Sequence, residues 1–314
     1  MSMGTEKQGS GLELDSGVLG GCIECASDAI EVKKRVREKK STLGFRLTDR
    51  DYEIFGFLLD QKFASLEALY FRFFDARQSP TAELPDHLRV ARQRLGILKR
   101  AGLVTDERVY SDPKSLMLLT EAGHHVFKMR RDEDAYALPV ASVDFRNYEH
   151  DQAVNYCRVA IERMGKSMRW YSERRLRMQG FKVPGVDRRL PKGIVPDAIF
   201  ISSKGERVAF ELEYTHRKKS RYQAKVSEYQ SVMGGSQPLI HRVLFVGGNE
   251  RVYRDLKEVL PAGSTAFWLE SYAHFLGRLF PPSHVLKVHR MLQPKGDRVG
   301  QVGGQVQESG SGNG

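Results

Sequence analysis

Cysteine is scarce. The chain has three in 314 residues, Cys22, Cys25 and Cys157. That count excludes a disulfide framework and suits a reducing compartment, so a cytoplasmic protein is expected. Cys22 and Cys25 form a Cys-x-x-Cys, yet a closed zinc site needs four ligands and no second pair completes it. Long apolar runs are missing as well. No stretch of about 20 apolar residues exists, which argues against a membrane-spanning helix. Residues 1–15 lack the apolar core of a secretory signal. Gly247-Gly248-Asn249 lacks the rest of a dinucleotide or P-loop pattern and reads as a turn. His124, His125 and His216 have no carboxylates at obvious metal-ligand spacing.

Acid is absent where base is dense. Between His87 and Thr105 no acidic residue occurs, while Arg89, Arg92, Arg94, Lys99 and Arg100 do. Over the whole chain 50 Lys and Arg face 39 Asp and Glu, a net charge of +11. The isoelectric point is about 9.5. A basic balance of this size favours a polyanionic partner, nucleic acid first among them; the helical pattern of the basic stretch narrows that expectation to double-stranded DNA.

The pattern along the chain predicts five stretches. Residues 1–45 are a flexible basic arm ending in Lys33-Lys34-Arg35-Val36-Arg37-Glu38-Lys39-Lys40. Residues 46–130 are mostly helical with one hairpin, 131–145 a charged, Pro-bearing linker, and 146–290 alternate helices and strands. Residues 291–314, rich in Gly, Gln and Ser, are expected to be disordered. The fold class is α+β or α/β.

In the first block Thr48 can cap a helix, with Asp51 three residues on. Tyr52, Phe55, Leu58 and Leu59 then recur at helical spacing. Ser65 caps a second helix carrying Leu66, Leu69, Tyr70 and Phe73. A third starts near Pro85-Asp86, turns Leu88, Ala91, Leu95 and Leu98 inward, and stops at Gly102. Two strand-like runs, 103–109 and 115–119, flank Tyr110-Ser111-Asp112-Pro113-Lys114. Three helices and a hairpin describe a winged helix-turn-helix. Leu-Lys-Arg-Ala-Gly-Leu-Val at 98–104, with Leu-Thr-Glu-Ala-Gly at 119–123, resembles the end of many bacterial winged-helix domains. A helix apolar on one side and basic on the other suits the major groove. Arg89, Arg92 and Arg94 are the candidates for that surface, Gln93 for an adenine edge. Lys99 and Arg100 extend the basic face, and Lys114 at the hairpin tip is a phosphate candidate.

The second block holds the acid motif. Val195-Pro196-Asp197-Ala198-Ile199-Phe200 and Val208-Ala209-Phe210-Glu211-Leu212-Glu213 read as two strands. Side chains alternate across a strand, so Glu211 and Glu213 share a face. A hairpin around Ser203-Lys204-Gly205 puts Asp197 opposite Glu211 on that face; a two-residue loop sends it to the other. Converging carboxylates repel unless a cation is present. Around the hairpin the order helix, three strands, helix, strand, helix, strand predicts a mixed sheet flanked by helices.

Pro196-Asp197, a gap, then Glu211-x-Glu213 resembles the Pro-Asp…(Asp/Glu)-x-Lys motif of restriction-endonuclease-like nucleases. The longer string from Glu211 through Thr215-His216-Arg217-Lys218-Lys219-Ser220-Arg221-Tyr222 to Lys225, with Tyr229 after it and His150 opening a helix, resembles the replication-relaxation family. That family similarly joins a winged helix to this domain. The resemblance implies Mg²⁺ or Mn²⁺ held by Asp197 and Glu211 if the site is active, with Glu213 as ligand or base and Glu173 as an accessory acid. Glu213 stands where the nuclease pattern has Lys; some active nucleases are similar, with Glu-x-Glu and a metal-bound water, and Lys218, Lys219 or Lys225 could alternatively reach in. The competing reading is a domain without catalysis that binds DNA, forms a homodimer or senses a ligand. Arg188 and Arg189, with Lys192, and Arg217 and Arg221 are candidates for a phosphodiester or a nucleotide effector. The expected function is a bacterial transcription or replication regulator. The alternatives are a metal-dependent endonuclease and an effector-sensing regulator.

Overall fold

The computed structural model describes residues 44–75, 88–109, 112–130, 137–281 and 285. The basic arm to residue 43 with Cys22 and Cys25, the start of the third helix at 85–87, linker residues 131–136 and the tail 291–314 lie outside the described residues.

The architecture is α+β with two sheets. The first block opens with α1 (Asp49–Gln61), the short strand β1 (Ala64–Ser65) and α2 (Leu66–Phe73). Asp51 accepts from the Thr48 N–H at 2.6 Å and its hydroxyl at 2.8 Å, closing the first turn of α1. Ser65 Oγ accepts from Ala68 N at 3.2 Å and starts α2. Next come α3 (Leu88–Arg100), β2 (Val104–Val109), β3 (Asp112–Leu119) and α4 (Glu121–Arg130). The strand β1, which the sequence pattern does not reveal, pairs with β3 and makes the hairpin a three-stranded sheet.

The Leu98–Val104 and Leu119–Gly123 phrases interlock. Gly102 takes φ +71°, and two backbone bonds, Gly102 N to Lys99 O and Leu103 N to Leu98 O, close α3. Thr120 Oγ1 sits 2.6 Å from Gly102 O and accepts from Gly123 N at 3.0 Å. A Cβ on Gly123 would lie 2.1 Å from Leu103 O, so only glycine allows this approach.

The second block begins with α5 (Tyr148–Arg163), β4 (Ser167–Ser172) and the short helix α6 (Glu173–Leu176). Then follow β5 (Ala198–Ser202), β6 (Arg207–Glu213), α7 (Lys219–Met233), β7 (Arg242–Gly247), α8 (Glu250–Val259), β8 (Phe267–Ser271) and α9 (Tyr272–Leu279). The five strands lie in the order β4-β5-β6-β7-β8. The pairs β4–β5 and β5–β6 are antiparallel, while β6, β7 and β8 run parallel. One face buries Ile199, Ala209, Val243 and Phe245 against Tyr222, Val226 and Tyr229 of α7 and Val252 and Leu256 of α8. On the other, Trp170 stacks on Phe200 with centroids 5.9 Å apart, and Arg158 of α5 covers the indole.

The two blocks meet inside one compact unit that begins at Leu47. Phe71 and Tyr156 both press their rings edge-on to Phe280. Asn155 Nδ2 donates to Phe63 O at 2.8 Å, and Lys62 pairs with Asp151 at 2.7 Å. Arg163 donates to Phe71 O at 2.8 Å and Asp75 O at 3.2 Å, satisfying carbonyls at the end of α2.

Candidate functional site

The hairpin register decides where the acids go. Ala198 pairs with Phe210 and Ile199 with Ala209, so extending the ladder sets Asp197 opposite Glu211. The connection closes with Ser202 N bonded to Glu206 O at 2.9 Å, the longer of the two turns considered. Alternation then makes 202–206, 200–208 and 198–210 the hydrogen-bonded pairs, and Pro196 and Leu212 the next. Proline has no N–H to give. The Leu212 amide donates to Asp197 Oδ2 at 2.8 Å, and His150 Nε2 lies 3.3 Å from Leu212 O. The Pro-Asp pair thus ends β5 and turns the Asp197 carboxylate back onto β6.

Three side chains meet the acids. His150 Nε2 is 3.3 Å from Asp197 Oδ2. Lys225 Nζ, from the second turn of α7, lies 3.0 Å from Glu211 Oε2 and 2.6 Å from Glu213 Oε1. The Tyr229 hydroxyl donates to Glu211 Oε1. Lys225 and Tyr229 are four apart on the helix and therefore share the face turned to β6.

Burial sets the charge states. Glu211 is 4% exposed. Its burial outweighs the Lys225 ammonium, and with repulsion from Asp197 and Glu213 pushes its pKa up to about 7. Burial works to raise Asp197 too, but His150, the Leu212 amide and Lys225 hold it below the usual carboxylate value. Burial opposes charge on Lys225, and Glu211 and Glu213 reverse that and raise its pKa. His150, despite burial, is raised well above the ordinary imidazole value by Asp197 and Asp151. Two cations and a phenol therefore answer three carboxylates from within the protein.

The lysines expected to reach in divide. Lys219 pairs with Glu258 of α8, and Lys218, the residue before α7, is exposed. Neither joins the acids; Lys225 does, from the side of α7 that carries Tyr222, Val226 and Tyr229 into the core. The stripe Tyr222, Lys225, Val226, Tyr229 was the available signal, with lysine inside an apolar face. Glu173 donates its amide to Asp197 O at 2.8 Å while its carboxylate pairs with Arg177 at 2.7 Å. His150 and Tyr229, which the sequence brought in only through the family resemblance and without a role, carry parts of the network.

The residues as arranged do not fit a divalent ion. Glu211 Oε2 and Glu213 Oε1 already hold the ammonium, and Asp197 Oδ2 already faces an amide and an imidazole. Among the described residues no group of three His, Cys, Asp or Glu is placed to hold a metal.

The basic helix also divides. Arg89, Arg92, Gln93 and Arg100 are exposed on α3. Arg94 is not available: its Nε donates to Asp51 Oδ1 at 2.9 Å and Nη2 to Oδ2, because the buried Asp51 needs a cation. Lys99 pairs with Asp106 of β2. Lys114 belongs to β3, but its side chain lies outside the described residues.

The four effector arginines do not converge. Arg188 Nη1 donates to Gln237 O at 3.3 Å, beyond the end of α7, whereas Arg217 and Arg221 stand at its start. Fifteen residues of helix, about 22 Å, separate those ends. Gly247 and Gly248 are also explained by packing. A Cβ on either would lie 2.8 Å from Tyr253 or Tyr214 backbone, and Asn249 caps α8 by accepting from Val252 N at 2.9 Å. Of the described helices none is long and apolar enough to cross a membrane.

No protein-family model matches the chain, and no curated protein or solved structure does either.

Proposed function

We propose that the chain is a duplex-DNA-binding regulator of transcription or replication. Its first block acts as a winged helix, with α3 in the major groove and the β2–β3 hairpin beside it. The observation that carries this is the divided surface of α3. Leu88, Ala91, Leu95 and Leu98 are buried, while Arg89, Arg92, Gln93 and Arg100 face water on a helix free of acid. The interlocked Gly102, Thr120 and Gly123 supply a physical reason for the phrases that resemble bacterial winged-helix domains.

The second block is a nuclease-like domain kept for its scaffold. The order α5, three antiparallel strands, α7 and a parallel strand supports that reading, as do the resemblances carried by Pro196-Asp197 and Glu211-x-Glu213. Its acids are neutralised by Lys225 and His150, which favours a structural and DNA-contacting role over catalysis. Exposed Lys192, Arg217, Lys218 and Arg221 provide cations for further phosphate contacts.

The test is duplex affinity against salt for the wild type and an Arg89/Arg92/Arg100→Ala variant. The slope of log affinity on log salt should fall by about one for each phosphate contact removed. Unchanged affinity and slope would remove α3 from the interface.

A second reading, a metal-dependent endonuclease, has in its favour that Asp197, Glu211, Glu213 and a lysine gather at one end of a sheet. Supercoiled plasmid with Mg²⁺ or Mn²⁺, beside Asp197→Ala, decides it. Nicking lost in the variant would establish the endonuclease; plasmid left intact by both supports the regulator.

A further inference from the structure

A single exposed valine is commonplace on protein surfaces. Val90 stands in a particular place. It is 59% exposed, and it lies on α3 between Arg89 and Gln93, both exposed. The helix has its apolar side fully used: Leu88, Ala91, Leu95 and Leu98 face the core. At 100° per residue Gln93 points almost directly away from that side. Arg89 and Arg100 flank it on one hand, Val90 and Ile97 on the other. Arg94, tied to Asp51, and Lys99, tied to Asp106, leave this outward face to Arg89, Val90, Gln93 and Arg100.

We infer that Val90 and Gln93 together read an A·T pair, Val90 through the thymine C5-methyl and Gln93 through adenine N6 and N7. The inference rests on the DNA-binding reading above. In the major groove only thymine presents a methyl group, and Gln is suited to bond N6 and N7 of adenine at once. Val90 and Gln93 are three residues apart, about 4.5 Å along the axis. That is close to one base-pair step of about 3.4 Å, so the two reach the same pair or adjacent ones. Arg89, one residue before Val90, is placed to add a guanine or phosphate contact next to it. Charge complementarity commits the face to DNA: its polar members are two arginines and a glutamine, on a chain of net charge +11.

The test uses the full-length chain. Duplexes are selected from a random library, and each thymine of the enriched site is replaced singly by deoxyuridine, which deletes only the methyl. Affinities are read at fixed salt by fluorescence anisotropy. One methyl removed from contact is worth about 0.8 kcal/mol, so one deoxyuridine should weaken binding about fourfold. In Val90→Ser that thymine-to-uracil ratio should fall to one, and in Val90→Ile it should persist. Gln93→Ala should flatten the preference for adenine in the same or the adjacent pair. Circular dichroism of Val90→Ser checks that the exposed substitution leaves the fold intact. A site in which no thymine is sensitive, or a sensitivity that survives Val90→Ser, overturns the methyl readout while leaving DNA binding standing. Failure to enrich any duplex overturns both.

Discussion

Arg94 of α3 grips Asp51 of α1 with two hydrogen bonds, Nε to Oδ1 at 2.9 Å and Nη2 to Oδ2. One cation of the basic helix is thereby used to fix the angle of the helix itself. Asp51 is fully buried. Burial works to raise its pKa, yet Arg94 and Thr48 hold it below the usual value. Its stabilising effect is therefore present above the unfolded carboxylate value and lost as pH falls through the folded one.

Arg94→Ala should leave a buried carboxylate without its cation and cost about 3 kcal/mol in denaturant unfolding. Arg89→Ala, on the exposed face, should stay within about 0.5 kcal/mol of wild type and weaken duplex binding instead. Equal effects of the two on stability would refute the division of roles.

Lys225→Met should destabilise by about 3 to 5 kcal/mol, because Glu211 and Glu213 lose the ammonium between them. A Lys225→Met/Glu211→Gln/Glu213→Gln variant should recover much of that loss. Urea midpoints of the wild type and the two variants measure it, and no recovery would mean the lysine acts through packing alone.

Glu211 has a pKa raised from 4.5 to about 7, its folded form binding the proton more tightly than its unfolded form. The sign follows: its contribution is fully present below pH 4.5 and lost as pH rises through 7. Stability should fall across that window by up to about 3 kcal/mol, and the fall should be absent in Glu211→Gln. Unfolding free energies at pH 4.5 and 7.5 for both proteins provide the comparison.

Gly123→Ala brings a Cβ to 2.1 Å from Leu103 O, which backbone on both sides resists. A loss of about 2 to 3 kcal/mol is expected. Gly277→Ala on α9, where nothing lies within 4 Å, should be neutral or slightly stabilising. Thermal midpoints of both measure what the close approach of α4 to Leu103 demands.

Much of the fold was legible locally. The caps at Thr48 and Ser65, the stop at Gly102 and the apolar periods of α1, α2 and α3 each depend on neighbours within a few residues. The convergence of Asp197 with Glu211 was likewise conditional on one turn, because a period of two and a known register fix which face each acid takes. The second block's element order followed from the same signals. What escaped was pairing over distance. β1 is two residues long and exists only because β3 passes beside it. His150 reaches Leu212 O across 62 residues, and nothing near either one announces it.

The choice of counter-charge shows the boundary most plainly. Sequence alone put three acids on one face of a hairpin, given the longer turn, and several cations close by in the chain. Tertiary structure chose Lys225 over Lys218 and Lys219, sent Arg94 inward, and set Arg188 a helix length from Arg217. The physical reason is range. Backbone geometry propagates through adjacent residues, whereas an ion pair is decided by where whole helices come to rest, and that depends on every side chain packed beneath them.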